Sequence, residues 1–101
     1  MSGPDILTKE IEEDILGHKV VALDFETNNS FTPREGKITG LGVGCNNRSY
    51  YFEWSAEVKE FLIKIVNDSE RICCWHNFKF DSKWLIAEGI EWCSKMACTM
   101  V

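Results

Sequence analysis

No apolar stretch in this 101-residue chain approaches the roughly 20 residues that a helix needs to cross a bilayer. That argues against a membrane-spanning helix. The polar, acidic N-terminus has no apolar core of a signal peptide, so a cytoplasmic chain is expected. Basic residues are scarce. Eleven Lys and Arg stand against 16 Asp and Glu, a formal net charge of −5. This argues against the broad basic face with which proteins grip duplex phosphates, but it leaves room for a small site that neutralises its substrate with metal ions. No Cys-x2-Cys pair occurs among the five cysteines. A zinc site built from Cys73 or Cys74, His76, Cys93 and Cys98 therefore has no motif behind it. All five cysteines read as reduced thiols, mostly small core residues. Gly40, Gly42 and Gly44 lack the lysine and the following helix of a phosphate loop, and read instead as close packing or a bulge inside a strand. There is no repeat, low-complexity segment or linker.

What the chain does have is ordinary globular composition: 45% hydrophobic and 27% charged residues. One domain spanning residues 1–101, with a modest core, is expected. Thr8 caps a helix over about 9–16 that carries Ile11, Ile15 and Leu16 on one face and stops at Gly17. An apolar run, Val20 to Phe25, reads as a buried strand. The polar segment from Thr27 to Gly36, with Pro33, is a loop. Lys37–Cys45 and Arg48–Trp54, joined by Asn46-Asn47, form an antiparallel hairpin. Ser55 caps a helix over about 56–68 with an apolar stripe of Val58, Phe61, Leu62, Ile65 and Val66. Arg71–Trp75 is a short strand, reached by a crossover long enough for parallel pairing with the first. Asn77 caps a helix running to about Glu88, stopped by Gly89. A last short strand or helix start falls around Lys95–Val101. The class is α/β, a mixed sheet of antiparallel hairpin and parallel strands with flanking helices.

The chemistry gathers at the end of the first strand, in Asp24-Phe25-Glu26-Thr27. Side chains alternate along a strand, so Asp24 and Glu26 share a face. Adjacent carboxylates repel and are costly to desolvate, and a hard divalent cation such as Mg²⁺ relieves both. The same pattern also fits two acids standing in solvent where a strand becomes a loop. Asp81 lies four residues after Asn77, on the same helix face. By strand order it is aimed at the acid pair, although an acid in an early helical turn also suits the helix dipole. Phe31, an aromatic in a polar loop, either tucks into the core or offers a stacking surface. His76 reads first as a hydrogen-bonded junction residue.

Three segments stand in one order: VVALDFET, the hairpin TGLGVGCNNRSYYF, and CWHNFKFDSKWLIAEGIEW ahead of TMV. Together they resemble the proofreading 3′–5′ exonuclease domain of bacterial and phage family-A DNA polymerases, a member of the DEDD superfamily with a ribonuclease-H-like fold. The resemblance covers about residues 8–101. Acid-x-acid-Thr matches the family's first motif, and Asn-x-Lys-aromatic-Asp, here Asn77 to Asp81, matches the more specific second. It implies that Asp24, Glu26 and Asp81 are three of four carboxylates holding two Mg²⁺ or Mn²⁺ ions for phosphodiester hydrolysis. It places Thr27, His76 and Asn77 near the 3′-terminal nucleotide and Ser30 or Phe31, the better stacker, against its base. The family's third motif, a Tyr or His followed about four residues later by Asp, is not found within these residues. Cys98-Thr99 stands where the family usually has Asp-Thr.

The expected fold is accordingly a ribonuclease-H-like sheet truncated at its C-terminal side, with apolar surface left for a partner. The expected function is metal-dependent removal of nucleotides from single-stranded or frayed DNA 3′ ends. A completing chain, a polymerase or self-association would supply the rest. Two other readings are a catalytically inactive module binding a single-stranded end or a replication protein, and a fragment without activity of its own. Three mutually repelling acids favour the enzyme, since an inactive descendant has no need of them.

Overall fold

In the computed structural model, residues 3–28 and 36–98 are described. Among the described residues five strands form one sheet: β1 (Val20–Thr27), β2 (Ile38–Cys45), β3 (Arg48–Glu53), β4 (Ile72–Trp75) and β5 (Lys95–Cys98). Their order is β3-β2-β1-β4-β5. β2 runs antiparallel to β1 and β3, whereas β1, β4 and β5 are mutually parallel. The hairpin turn is made by Asn46, whose φ of 56° lies in the left-handed region that asparagine tolerates.

The three helices among the described residues start where their caps predict. In α1 (Lys9–Leu16) the Thr8 hydroxyl accepts from Ile11 N at 3.2 Å. In α2 (Ala56–Val66) Ser55 does the same for Val58 N at 3.2 Å. In α3 (Phe78–Ala87) the Asn77 side-chain oxygen accepts from Phe80 N at 3.3 Å. Each bond satisfies an N–H that has no partner within its helix, and such caps contribute about 1 kcal/mol. α3 ends ahead of Gly89, whose φ of +73° a side chain would strain.

One face of the sheet carries the core. Val21, Leu23, Phe25, Leu41, Val43, Phe52, Cys73 and Trp75 are buried together with Ile15 of α1 and the whole apolar stripe of α2. Each such side chain contributes roughly 1.5–3 kcal/mol by leaving water. The opposite face is open, which corrects the reading of Val20–Phe25 as wholly buried. Burial in β1 alternates strictly, and Val20 is 50% exposed. An apolar run does not distinguish two buried faces from one. On the open face β1 presents Ala22, Asp24 and Glu26, paired in register with Gly44, Gly42 and Gly40 of β2.

Two further features were not expected. Arg71 is buried, and its guanidinium donates to the carbonyls of Leu16 (2.7 Å), Ile65 (3.0 Å) and His18 (3.2 Å). It thereby ties the ends of α1 and α2 to the start of β4. Of the cysteines, Cys45 and Cys73 are core residues and Cys74 is half-buried, but Cys93 and Cys98 are exposed; the five form no disulfide with one another. No described helix is long and apolar enough to cross a membrane.

Candidate active site

β1 and β4 are adjacent and parallel, with Leu23 opposite Trp75. Their C-terminal ends therefore meet, and Asp24 comes beside His76. β1 delivers Asp24 and Glu26 to one exposed face. Glu26 holds its proton more tightly than usual. Burial is the larger cause, followed by the charge and hydrogen bond of Asp24. A register shift between Glu26 and Thr27 breaks the ladder there, so that Thr27 faces Ile38 and Thr39 is passed over. Such bulges re-aim side chains at the end of a strand. Beyond it, Asn28 N donates to Lys37 O (3.1 Å) and Lys37 N donates to Asn28 Oδ1 (2.6 Å).

The third acid comes from α3. Asp81 N donates to Asn77 O at 2.9 Å in the first helical turn, and its side chain is only 2% exposed. Burial pushes its carboxyl up to about 6, with the negative charge of Asp24 the next cause. The main-chain N–H groups of Asn77 and Phe25, and then His76, act the other way. The dependence of Asp81 on both Asp24 and Phe25 places it against the end of β1.

Among the described residues, none of the three acids forms an ion pair with Lys or Arg. The donors are all oxygens, anionic and mutually destabilising. That set suits hard divalent cations. The three do not converge as tightly as a single-ion site. Among the described residues, only Asp14, His18 and Cys45, elsewhere in the fold, bring three such ligand atoms within 4.8 Å of one another. A wider spread is compatible with two ions, which sit roughly 3.5–4 Å apart in two-metal sites.

Of the other expected site residues, His76 is exposed beside Asp24 and Asn77 is committed through its side-chain oxygen to capping α3. Thr27 is half-buried at the bulge. Phe31 and Ser30 lie outside the described residues. Tyr51 is a feature the sequence reading missed. Its ring lies across Gly40, the register partner of Glu26, where any Cβ would collide with it. The signal was present in the alternation of β3, which puts Tyr51 on the same face as the acids. An open groove of about 450 Å³ continues from Asp24 past Ala22, Gly42, Gly44, Cys74 and His76.

The Asp81 shift carries a stability consequence for metal-free protein. Its folded pKa of about 6 lies above the usual value for an unfolded Asp, so the folded state binds the proton more tightly. Stability should be highest where Asp81 is protonated in both states and fall as pH rises from about 4 to 6. The loss should be complete above the folded pKa and amount to about 2–3 kcal/mol. Glu26 shifts in the same direction. Urea unfolding in EDTA at pH 4.5 and 7 checks this. Asp81→Asn should flatten most of the difference, and an unchanged difference would place the titrating group elsewhere.

A mixed five-stranded sheet in this order with three helices is a ribonuclease-H-like α/β fold, shared with solved nucleases. Residues 3–101 match the 3′–5′ exonuclease family of DNA polymerase A type, and the chain belongs to that family, within the DEDD superfamily. One similar structure is described as the apo form of the nuclease. It has 18% sequence identity and a TM-score of 0.75, over 92% of this chain and 45% of that one. Another is Escherichia coli RNase D, an exoribonuclease involved in structured RNA processing. It has 14% identity and a TM-score of 0.60, over 76% of this chain and 20% of that one. The chain thus spans less than half the length of either structure. No curated protein sequence matches it.

Proposed function

We propose that this chain supplies three of the four carboxylates of a metal-dependent 3′–5′ exonuclease acting on single-stranded or frayed DNA 3′ ends. The observation that carries the reading is the buried Asp81 carboxyl, turned toward Asp24 at the end of β1 with no basic partner among the described residues. Family membership supports it independently.

In this reading Asp24, Glu26 and Asp81 hold two Mg²⁺ or Mn²⁺ ions. Bound there, the ions supply Lewis acidity, acidifying water and offsetting charge on the leaving 3′-oxygen. The protein's part is placement. Asp24 and Glu26 are fixed by the sheet register and Asp81 by the first turn of α3, so the charge that must be neutralised is assembled before substrate arrives. Thr27, His76 and Asn77 border the terminal nucleotide, and Phe31 stacks on its base. In this reading the fourth carboxylate and the general base are supplied by a completing chain, a polymerase partner or self-association.

The −5 net charge and the small anionic site favour an unpaired end over blunt duplex. With Mn²⁺ present, single-stranded DNA should bind more tightly than blunt duplex of equal length. Phe31→Ala should weaken single-strand binding by about 1–3 kcal/mol. Fluorescence anisotropy measures both. Equal affinity for the two forms would count against the site as drawn.

A further inference from the structure

A second cluster lies away from the acid trio, where the end of α1 meets the β2–β3 turn. Asp14 is in the last turn of α1, His18 follows one turn later, and Cys45 is the last residue of β2. One carboxylate oxygen, one imidazole nitrogen and the thiol sulfur lie within 4.8 Å of one another. His18 Nε2 is 3.6 Å from Asp14 Oδ1. The other oxygen of Asp14 is held from behind, by the Tyr50 hydroxyl at 3.0 Å and Arg48 Nη1 at 3.3 Å. Cys45 is 3% exposed, while Asp14 and His18 are half-buried, so the cluster opens to solvent on one side.

From this arrangement we propose a zinc-type cation site formed by Asp14, His18 and Cys45, independent of the exonuclease site, with water as the fourth ligand. Three points support it. First, the spacing fits. Around a tetrahedral Zn²⁺ with ordinary bond lengths, ligand atoms stand about 3.4–3.6 Å apart. The His18–Asp14 distance already meets this, and the thiol has on the order of 1 Å to close. Second, the donors are chemically distinct from the acid trio. Thiolate and imidazole select borderline-soft cations, whereas three carboxylates select hard ones. Third, Asp14 is oriented by outer hydrogen bonds, as metal-ligating carboxylates are.

Charge and protons balance. One carboxylate and one thiolate offset a divalent cation, and the Arg48 side chain, 68% exposed, is free to move outward. Without a cation, burial, and then the charge of Asp14, push the Cys45 thiol up, so it stays protonated. Binding displaces that proton to solvent, one per cation. The bound cation would join α1 to the hairpin across the 30 residues of sequence between Asp14 and Cys45, stabilising the fold rather than acting on substrate.

Co²⁺ is the probe, because thiolate ligation gives a charge-transfer absorption that oxygen and nitrogen ligands do not. The titration uses the full chain carrying Cys93→Ser and Cys98→Ser, which removes the exposed thiols. One equivalent should develop the band, and Zn²⁺ should displace it. Cys45→Ser should abolish it. His18→Gln, at a half-exposed position that folding tolerates, should weaken cobalt binding at least about tenfold. Asp24→Asn with Asp81→Asn should leave the band intact, which separates this site from the exonuclease reading. Absence of the band before any ligand is changed would overturn the proposal. So would its persistence in Cys45→Ser, unchanged affinity in His18→Gln, or its loss in the Asp24/Asp81 variant.

Discussion

Saturating Mn²⁺ should raise the melting temperature of this protein by roughly 10–20 °C, and the combined variant Asp24→Asn, Asp81→Asn should show almost none of that rise. Three carboxylates gather at the end of β1, and two of them hold protons above the usual range because they are desolvated and face Asp24. Repulsion of this kind is relieved by a cation that only the folded state can assemble a site for. A ligand at about 100 times its dissociation constant stabilises by about 2.7 kcal/mol. For a domain of this size each kcal/mol is worth about 4–8 °C. Replacing two carboxylates by amides removes the charge that binds the ion and the repulsion together. The metal-free double variant should therefore be no less stable than the parent at pH 7, and is expected to be more so. A manganese response that survives in the double variant would mean that the ions sit elsewhere.

The second large effect is kinetic. Polypeptide completing the domain should raise the rate of 3′-terminal nucleotide release by residues 1–101 about 10²–10⁴-fold. That is the range that general-base assistance supplies. Alone, the chain should bind metal but cleave slowly or not detectably, since water can take a fourth ligand position but cannot orient and deprotonate the attacking water. The same polypeptide should cover the open sheet face around Ala22, Gly42, Gly44 and Cys74, and so slow hydrogen exchange in β1 and β2. Release of a 3′-labelled nucleotide, with and without the completing polypeptide, measures the effect. Full activity from residues 1–101 alone, surviving Asp81→Ala, would remove both the assignment of the acids and the need for completion.

Local chemistry made much of this fold legible. Thr8, Ser55 and Asn77 announce helix starts because capping involves only the next three or four residues. The stripe on α2 announces its buried face because period and packing coincide. The side-chain alternation that places Asp24 and Glu26 together is equally local. What stayed hidden depends on partners distant in sequence. Arg71 looked like the first residue of a strand, yet two of its three carbonyl acceptors are 53 and 55 residues away. Asp14 gave no local signal, because nothing near it in sequence reveals Cys45 and Tyr50 beyond it. Tyr51 lying across Gly40 required the β2–β3 register. The run Val20–Phe25 could not reveal which of its faces is covered. Burial of Asp81 was the intermediate case: its direction followed from strand order, but its depth did not.

The most direct measurement is electron paramagnetic resonance of Mn²⁺, which reports the free ion and so counts the bound one. Mn²⁺ prefers oxygen donors and discriminates against the thiolate cluster. Titrated into the protein at neutral pH, it should be taken up by the parent chain, and uptake should be lost in the variant Asp24→Asn, Asp81→Asn while circular dichroism shows the fold retained. Equal uptake by parent and variant would contradict the assignment of Asp24, Glu26 and Asp81 as the metal-holding acids.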